Sequence, residues 1–193
     1  MGQVFIDSQK FDKTDFRINP LKPGAYESCI FSNCDFSNTD LSGMEFVECE
    51  FSGCNLSMAK IVKTVFRDAR FRDCKMLGLR FDTCNEFGMT FSFENCMLNH
   101  STFFGTKIKK TVFKDSQLHE VDVSNADLSG SVFLNCDLWG ATFEGTIMEK
   151  ADFRTSYNYT IDPEKNRIKK AWFSLSALPG LLAKYDIEID TVN

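Results

Sequence analysis

A five-residue repeat runs through most of this chain and limits its fold more than any other feature. From Phe31 to Phe51 every fifth residue is large and apolar, and the residue two places before each of them is small or apolar. A period of five matches neither the roughly 3.6 residues of an α-helical turn nor the alternation of a flat strand. The repeat therefore predicts a different regular structure.

Each repeat contains a large apolar residue, here termed the centre, and a smaller residue two places earlier, here termed the slot. In an extended segment residues two apart point the same way, so the centre and the slot face inward together. The other residues face outward and turn the chain, and Asp, Asn, Ser and Gly suit such turns. A chain that turns the same way at every repeat winds into coils that stack by backbone hydrogen bonds about 4.8 Å apart.

The repeats resemble those of the pentapeptide-repeat family, whose motif is A(D/N)LXX. Examples are Cys34–Phe36, Ala59–Ile61, Ala126–Leu128 and Ala151–Phe153. The resemblance extends over about residues 4–153 and implies that family's fold, an all-β, right-handed quadrilateral β-helix with four repeats per coil. We expect residues 1–193 to form a single pentapeptide-repeat domain with a short C-terminal α-helix.

The centres follow one five-residue register up to Phe91 and a second, shifted register from Leu98, and we term these registers the first and second frames. The first is interrupted at Glu86, a charged residue in place of a centre, and Phe91 restores it. The next centre, Leu98, follows seven residues later, which predicts a two-residue insertion near 92–97. The second frame then continues to Phe153.

The C-terminal part departs from the repeat. Residues 154–167 break the pattern and predict a loop, and residues 168–193 are predicted to form a cap and dimerisation segment. Pro179 suits the first turn of a helix, so we expect a short helix at about 178–185. A short strand is predicted to follow at Ile187–Ile189.

The eight cysteines predict structural thiols. Each lies in a slot: Cys29, Cys34, Cys49, Cys54, Cys74, Cys84, Cys96 and Cys136. Free cysteine behaves as a small buried hydrophobe, and the CxxC-type spacing of a zinc site is missing. We therefore expect reduced thiols, with neither a disulfide nor a metal joining Cys34, Cys54 and Cys74, and a reducing compartment, the cytoplasm.

Catalysis has little support in the sequence. The two histidines, His100 and His119, occupy outward positions without a nucleophile motif beside them, and nucleotide-binding or zinc-protease motifs are missing. We therefore predict no enzyme activity, no catalytic residues, no cofactor and no bound metal. A net charge of −5 argues against direct nucleic-acid binding, and no apolar run is long enough to span a bilayer. The N-terminus also lacks the pattern of a signal peptide.

Charge is banded along the chain. Residues 23–59 hold six acidic residues and no Lys or Arg, residues 60–80 hold seven basic residues, and residues 115–149 hold seven acidic residues and no Lys or Arg. Because each coil occupies one slice of a solenoid, the bands predict acidic and basic zones along its axis. Acidic corners also keep such a repeat soluble, so the bands alone do not require a partner.

Residues 34–61 resemble the first half of the Qnr-type quinolone-resistance pentapeptide proteins, which bind DNA gyrase and topoisomerase IV. Ordered carboxylates can imitate duplex DNA, which carries one charge per about 1.7 Å. The resemblance implies a non-enzymatic DNA mimic that binds a type II topoisomerase. The predicted contact residues are acidic: Asp35, Asp40, Glu45, Glu50, Asp122, Asp127 and Asp137.

The chain departs from many Qnr-type proteins at two loops that matter for protecting the enzyme from drug. It runs on without interruption at Glu50–Asn55, and it has only two extra residues near 92–97. A rod without such loops can still bind or inhibit the enzyme. The alternative function is a scaffold or adaptor for another protein.

Assembly is expected through the C-terminus. An open β-helix end exposes unpaired backbone groups and needs a cap. The resemblance to Qnr-type proteins implies a symmetric end-to-end homodimer, and symmetric dimers are the commonest oligomers. The candidate interface residues are Leu181, Leu182, Tyr185 and Ile187.

Overall fold

The computed structural model describes residues 4–190, which form a right-handed quadrilateral β-helix with one short C-terminal helix, as expected. Its strands pair in parallel with the strand of the neighbouring coil. The strands are β1 (Val4–Asp7), β2 (Lys10–Asp12), β3 (Gly24–Glu27), β4 (Ile30–Ser32), β5 (Glu45–Val47), β6 (Glu50–Ser52), β7 (Val65–Arg67), β8 (Ala69–Arg72), β9 (Phe91–Glu94), β10 (Val112–Lys114) and β11 (Val132–Leu134).

The rod has four sides, because residues twenty apart lie directly above one another and each side takes five residues. We number the sides from their centres in one coil: side 1 holds Tyr26, side 2 Phe31, side 3 Phe36 and side 4 Leu41. Strands β1-β3-β5-β7 form a sheet on side 1, and the other seven strands form a sheet on side 2. On sides 3 and 4, neighbouring coils are joined by isolated bridges, such as Asp35↔Asn55 on side 3.

The turns explain which polar residues flank each centre. In the turn after Phe36, the Thr39 N–H donates to the Phe36 carbonyl at 3.1 Å, and Asn38 has a φ of 58°. A left-handed residue in this position favours Asn or Gly. The Asp35 carboxylate accepts the Ser37 N–H at 2.8 Å and so caps the turn. Acidic residues before a centre therefore have a structural role of their own.

The core is dominated by a column of phenylalanine rings on side 2. Successive rings stack with centroids 4.6–5.5 Å apart and planes within 17° of parallel. The column contains Phe11, Phe31, Phe51, Phe71, Phe93, Phe113, Phe133, Phe153 and Phe173. Each coil thus contributes one ring to a continuous apolar stack along the axis.

The eight cysteines are buried, which confirms the inward positions predicted from their slots. Slot side chains also hydrogen-bond to the backbone of the preceding coil. The Cys54 thiol donates to the Phe31 carbonyl at 3.2 Å, and the Thr64 hydroxyl donates to the Leu41 carbonyl at 2.8 Å. A slot therefore accommodates a small side chain that donates a hydrogen bond as well as it accommodates alanine.

The two-residue insertion lies at Glu86–Thr90, so its predicted position near 92–97 is wrong. The Asn85 N–H still bonds to the Thr64 carbonyl in the ordinary register, whereas Ala69 pairs with Phe91 and Phe71 with Phe93. Glu86 is exposed, as expected for a charged residue at a position where the repeat otherwise has an apolar centre.

Phe93, rather than Phe91, is therefore the centre of its coil. Phe91 occupies the slot before it and is buried, and Met89 within the insertion is buried as well. In the sequence either Phe91 or Phe93 could be the large apolar centre of this repeat. The position of the insertion could therefore not be read from the spacing alone.

The predicted loop at 154–167 is also wrong, because the coil continues through it. Tyr157 bridges to Asp137 and Arg167 to Ile147, both with the ordinary spacing of twenty. Tyr159 and Ile161 are buried although neither falls at a centre. Their apolar side chains fill the interior, so the coil persists where the five-residue pattern does not.

The C-terminal segment forms a helical cap. It comprises a 3-10 turn at Leu175–Ala177, the helix α1 at Pro179–Leu182 and a second 3-10 turn at Ala183–Tyr185. Residues 186–190 have no regular structure, so the strand predicted at Ile187–Ile189 is wrong. Their side chains are exposed and their backbone has no neighbouring edge to pair with in the described part of the chain. Within residues 4–190 no helix is long and apolar enough to cross a bilayer.

Candidate functional site

The first group of predicted contact residues encircles the rod. Asp35 lies on side 3, Asp40 on side 4, Glu45 on side 1 and Glu50 on side 2, all within one coil. A partner that approaches from one direction meets one side or two adjacent sides. These four carboxylates therefore do not form one contact surface.

Two of these carboxylates already have partners. Asp35 lies 3.3 Å from Arg17, and Asp40 lies 3.2 Å from Lys60 in the next coil. Hydrogen bonds from Ser42, together with Lys60, hold the pKa of Asp40 below its usual range despite some burial. The coil-to-coil pair shows how the acidic and basic bands neutralise each other where they meet.

The second predicted group divides between opposite sides. Asp122 lies on side 4 and accepts only the Ser124 N–H at 2.9 Å in the described structure. Asp137 lies on the adjacent side 3, whereas Asp127 lies on side 1 with Lys109 3.0 Å away. Asp122 and Asp137 can thus meet one partner, and Asp127 faces away from Asp137.

Asp137 is held by a local network. Its carboxylate lies 2.8 Å from His119 Nε2 and accepts a hydrogen bond from Asn158 at 2.9 Å. Partial burial acts to raise the pKa of Asp137, but hydrogen bonds from His119, Asn158 and the Trp139 N–H outweigh it and lower the pKa. The Trp139 ring is exposed and packs edge-to-face on His119. An aromatic side chain therefore stands beside the carboxylate on the outer surface.

Six carboxylates on sides 3 and 4 of three successive coils form what we term the acidic stripe. Its members are Glu120, Asp122, Asp137, Glu144, Asp162 and Glu164. Lys165 pairs with Glu144, and Lys184 of the cap pairs with Asp162 and Glu164, so the stripe keeps a negative balance. Sequence reasoning missed four of the six. Their positions within the twenty-residue period were the available signal, since residues one coil apart share a side.

The C-terminal end presents an exposed apolar surface. Of the predicted interface residues, Tyr185 and Ile187 are exposed, Leu182 is half-buried, and Leu181 is buried in the core. Leu181 thus closes the last coil and is not available to a partner. Four further residues of the predicted cap and dimerisation segment, which were not among its named candidates, are exposed at this end: Trp172, Leu175, Leu178 and Ile189.

Gly180 fixes the helical cap on the rod. Its carbonyl accepts the Ile161 N–H at 3.0 Å, and a β-carbon at this position would lie 2.2 Å from the Tyr159 carbonyl oxygen. Lys184 and Tyr185 add contacts to Glu164. The cap therefore continues the stacking of the coils and covers side 4 of the last one.

The described residues offer no arrangement typical of a metal centre. Within residues 4–190 no group of three or more His, Cys, Asp or Glu side chains is placed to hold a metal ion. His100 lies 3.2 Å from Glu120, and His119 contacts Asp137, so both histidines belong to surface pairs.

Two family models match the chain. Residues 25–92 match the model described as a pentapeptide repeat region, and residues 116–154 match the model of pentapeptide repeats in eight copies. Together they cover more than half of the chain. A comparison with curated protein sequences found no match.

Among solved structures the chain is similar to two trypsin-treated variants of QnrB1, a plasmid-mediated fluoroquinolone resistance protein. One matches with a TM-score of 0.63 and 19% identity, covering 98% of this chain and 100% of that chain. The other matches with a TM-score of 0.63 and 20% identity, covering 97% and 98%. HetL, a pentapeptide repeat protein involved in heterocyst differentiation regulation in the cyanobacterium Nostoc, matches with a TM-score of 0.46 and 13% identity over 88% and 87%. The likeness to QnrB1 establishes a shared fold along the full length of both chains.

Proposed function

Because the chain belongs to the pentapeptide-repeat family, we propose that it is a non-enzymatic interaction protein whose partner is a type II topoisomerase, DNA gyrase or topoisomerase IV. The observation that carries the proposal is the end-to-end match of its fold to QnrB1, a fluoroquinolone resistance protein. Fluoroquinolones act on type II topoisomerases. A cytoplasmic location follows from this proposal, since both enzymes act on chromosomal DNA.

The acidic stripe is the proposed contact surface. It retains Asp122 and Asp137 from the sequence-based prediction and adds the exposed Glu120 and Glu144. Its carboxylates recur in coils about 4.8 Å apart, so they present a regular negative array to the positively charged surface on which a topoisomerase binds DNA. Asp127 is left out, because it lies on another side and pairs with Lys109.

The effect on the enzyme is proposed to be inhibition by occupation of the DNA-binding surface. The coil at Glu50–Asn55 runs without a projecting loop, and the insertion at Glu86–Thr90 adds only two residues. Residues 4–190 therefore include no long projecting segment that could reach from the DNA-binding surface into a drug site. We therefore expect the protein to bind the enzyme without protecting it from the drug.

The C-terminal end is the proposed homodimer interface. Leu175 and Ile187 are 85% and 55% exposed, and they surround the cap together with Leu178 and Tyr185. Burying such a patch against its own copy would give an isologous contact at the tip of the rod. Light scattering of wild type and of the Leu175→Asp, Ile187→Asp variant tests the proposal, because only the variant should be monomeric at micromolar concentration. Equal masses for the two proteins would contradict it.

A supercoiling assay tests the proposed function. We expect purified protein to inhibit gyrase-catalysed supercoiling, and added fluoroquinolone to remain as potent as before. Glu120→Lys with Glu144→Lys should weaken inhibition at least tenfold, because it cancels the net negative charge of the stripe without removing a turn-capping aspartate. Glu45→Lys with Glu48→Lys is the matched control on side 1 and should leave inhibition unchanged. Unaltered supercoiling at a large molar excess of wild type would contradict the topoisomerase assignment and favour an adaptor role.

A further inference from the structure

Side 1 carries a group of exposed cations that have no acidic partner. They come from its last four coils, with centres from Ile108 to Ile168, and from the coil of Phe66 just before the insertion. None of them lies within 4 Å of a carboxylate among residues 4–190, where the pairs on this part of the side involve other cations. We term this group the basic face, and its members are Arg67, Lys107, Lys110, Lys150, Lys169 and Lys170.

The acidic residues on this part of side 1 leave the basic face largely uncompensated. Asp127 lies 3.0 Å from Lys109, and Glu149 lies 2.6 Å from Arg167, so these two carboxylates neutralise cations outside the face. Two acidic side chains remain, Asp68 and Glu86. They are too few to balance the six cations, so the basic face keeps a positive charge.

An exposed aromatic ring projects beside the basic face. Phe87 belongs to the insertion at Glu86–Thr90, and its side chain is 81% exposed. Its N–H donates to the side-chain oxygen of Asn85 at 2.9 Å, and Gly88 has a φ of 69° that supports the turn. Arg67 packs across this turn, since a β-carbon on Gly88 would lie 3.3 Å from the Arg67 Nε. The turn therefore presents an aromatic ring with a cation at its base.

An open groove follows the corner between sides 1 and 2 across three coils at the insertion. Its volume is about 410 Å³, and its lining includes Arg70, Thr90 and Lys110. Lys150 and Lys170 occupy the same corner two and three coils beyond Lys110, which places them about 10 Å and 14 Å further along the rod. Cations and a hydroxyl group thus line a continuous path that begins beside the insertion.

A single-stranded nucleic acid uses both features of this surface. Its phosphates pair with exposed cations, and an unpaired base stacks on an aromatic side chain. A duplex offers phosphates but keeps its bases stacked on one another, and an acidic peptide offers charge without a base. We propose that the basic face and Phe87 form an interaction surface for a single-stranded nucleic acid. Its backbone follows the corner from the groove to Lys170, and one base stacks on Phe87.

The net charge of the chain does not describe this surface. The value of −5 led to the expectation of no direct nucleic-acid binding, but it averages over all four sides. Lysine and arginine gather on the C-terminal half of side 1, whereas the acidic stripe lies on sides 3 and 4. A nucleic acid on side 1 leaves the stripe free, so the inference does not depend on the proposed topoisomerase partner.

Fluorescence anisotropy of a labelled oligothymidylate of about ten nucleotides tests the stacking contact, with the full chain at low salt. Wild type should bind this strand more tightly than a duplex of equal length. Phe87→Ala should weaken binding about tenfold, and Phe87→Tyr should bind as wild type does, because it keeps the ring. Phe104→Ala is the matched control, since Phe104 is half-exposed on side 4, and it should leave binding unchanged. Equal effects of the two alanine variants, or tighter binding of the duplex, would overturn the proposal.

The salt dependence of the same binding tests the phosphate contacts. Lys110→Asn with Lys150→Asn removes two cations, and asparagine suits the left-handed φ values of 57° and 60° at these corners. The slope of log affinity against log salt should become shallower by about 1.4, since each phosphate contact of a single strand contributes about 0.7. Lys13→Asn with Lys22→Asn removes the same charge from the first coil and should leave the slope unchanged.

Three results would overturn the assignment to a single strand. The first is wild type that fails to bind the oligothymidylate at low salt. The second is an equal slope for the two double variants. The third is wild type that binds polyglutamate as tightly as the oligothymidylate, which would assign the basic face to an acidic protein instead.

Discussion

At the scale of single residues, the slot decides which small side chains the rod accepts. Cysteine, serine and threonine suit a slot because each can donate one hydrogen bond to a nearby carbonyl. Thr64 and Ser156 donate to Leu41 and Phe133 of the preceding coil. Thr39 and Thr106 donate instead to the carbonyl three residues earlier in their own coil. Asn166 fills a slot as well, and its amide bonds to Thr146 and Phe143. Most slots thus hold a small side chain, with Phe91 as an exception, and the polar groups described here are satisfied by hydrogen bonds.

The buried thiols predict a loss of stability in alkali. Burial raises the pKa of Cys49, Cys84 and Cys136 from an ordinary value of 9.0 to about 12 in each case. A raised pKa in the folded state stabilises the protein below pH 9, and that contribution is lost as the pH rises from about 9 to about 12. Denaturant midpoints measured across this range should fall.

A variant controls for other alkaline titrations. Cys49→Ala with Cys84→Ala and Cys136→Ala should show a shallower fall in the midpoint over the same pH range, because alanine does not ionise. In wild type at neutral pH the eight thiols should react with a thiol reagent only after unfolding. Rapid labelling of the folded protein would contradict their burial.

At the scale of the coil, the phenylalanine column is the main apolar element. Phe113 is fully buried between Phe93 and Phe133, whereas Phe173 is the last ring and is half-buried. Phe113→Ala should lower the free energy of unfolding by about 3–5 kcal/mol, the usual cost of such a cavity. Phe173→Ala should cost clearly less, because solvent already reaches that ring. Equal losses in urea denaturation would show that the column does not act as a core.

The insertion can be tested by deletion. Removing Phe87 and Gly88 should restore the twenty-residue spacing between the paired residues Ala69 and Phe91, leaving a folded rod with a similar thermal midpoint. Removing two residues from Ser92–Asn95 should unfold the protein, because it shifts strand β9 out of register with β8 and β10. Circular dichroism of both variants distinguishes these positions, and a folded second variant would contradict the register.

The coil also shows how far the sequence predicts the structure. The centres and slots were readable because their apolar side chains recur at a fixed spacing. The insertion was misplaced by a few residues because Phe91 and Phe93 both satisfy the pattern. The coil at 154–167 was missed because Tyr159 and Ile161 fill the interior from irregular positions, and burial of this kind depends on neighbouring coils rather than on the local sequence.

At the scale of the whole molecule, the side on which a charge lies matters more than its place along the chain. The acidic bands in the sequence distribute over four sides, so neighbours such as Asp35 and Glu50 point in different directions. Residues one coil apart share a side, which collects Asp122, Glu144 and Asp162 into one stripe. On side 1, acidic residues predominate before the insertion and basic residues predominate after it.

We propose that the acidic stripe occupies the DNA-binding surface of a type II topoisomerase, and competition with DNA tests this most directly. The measurement is fluorescence anisotropy of labelled duplex DNA bound to gyrase at low salt, as the protein is titrated in. We expect wild type to displace the DNA, with weaker displacement at higher salt because screening reduces charge pairing. Glu120→Lys with Glu144→Lys should need at least tenfold more protein, and Glu45→Lys with Glu48→Lys should match wild type. DNA that stays bound at a large excess of wild type would contradict the claim.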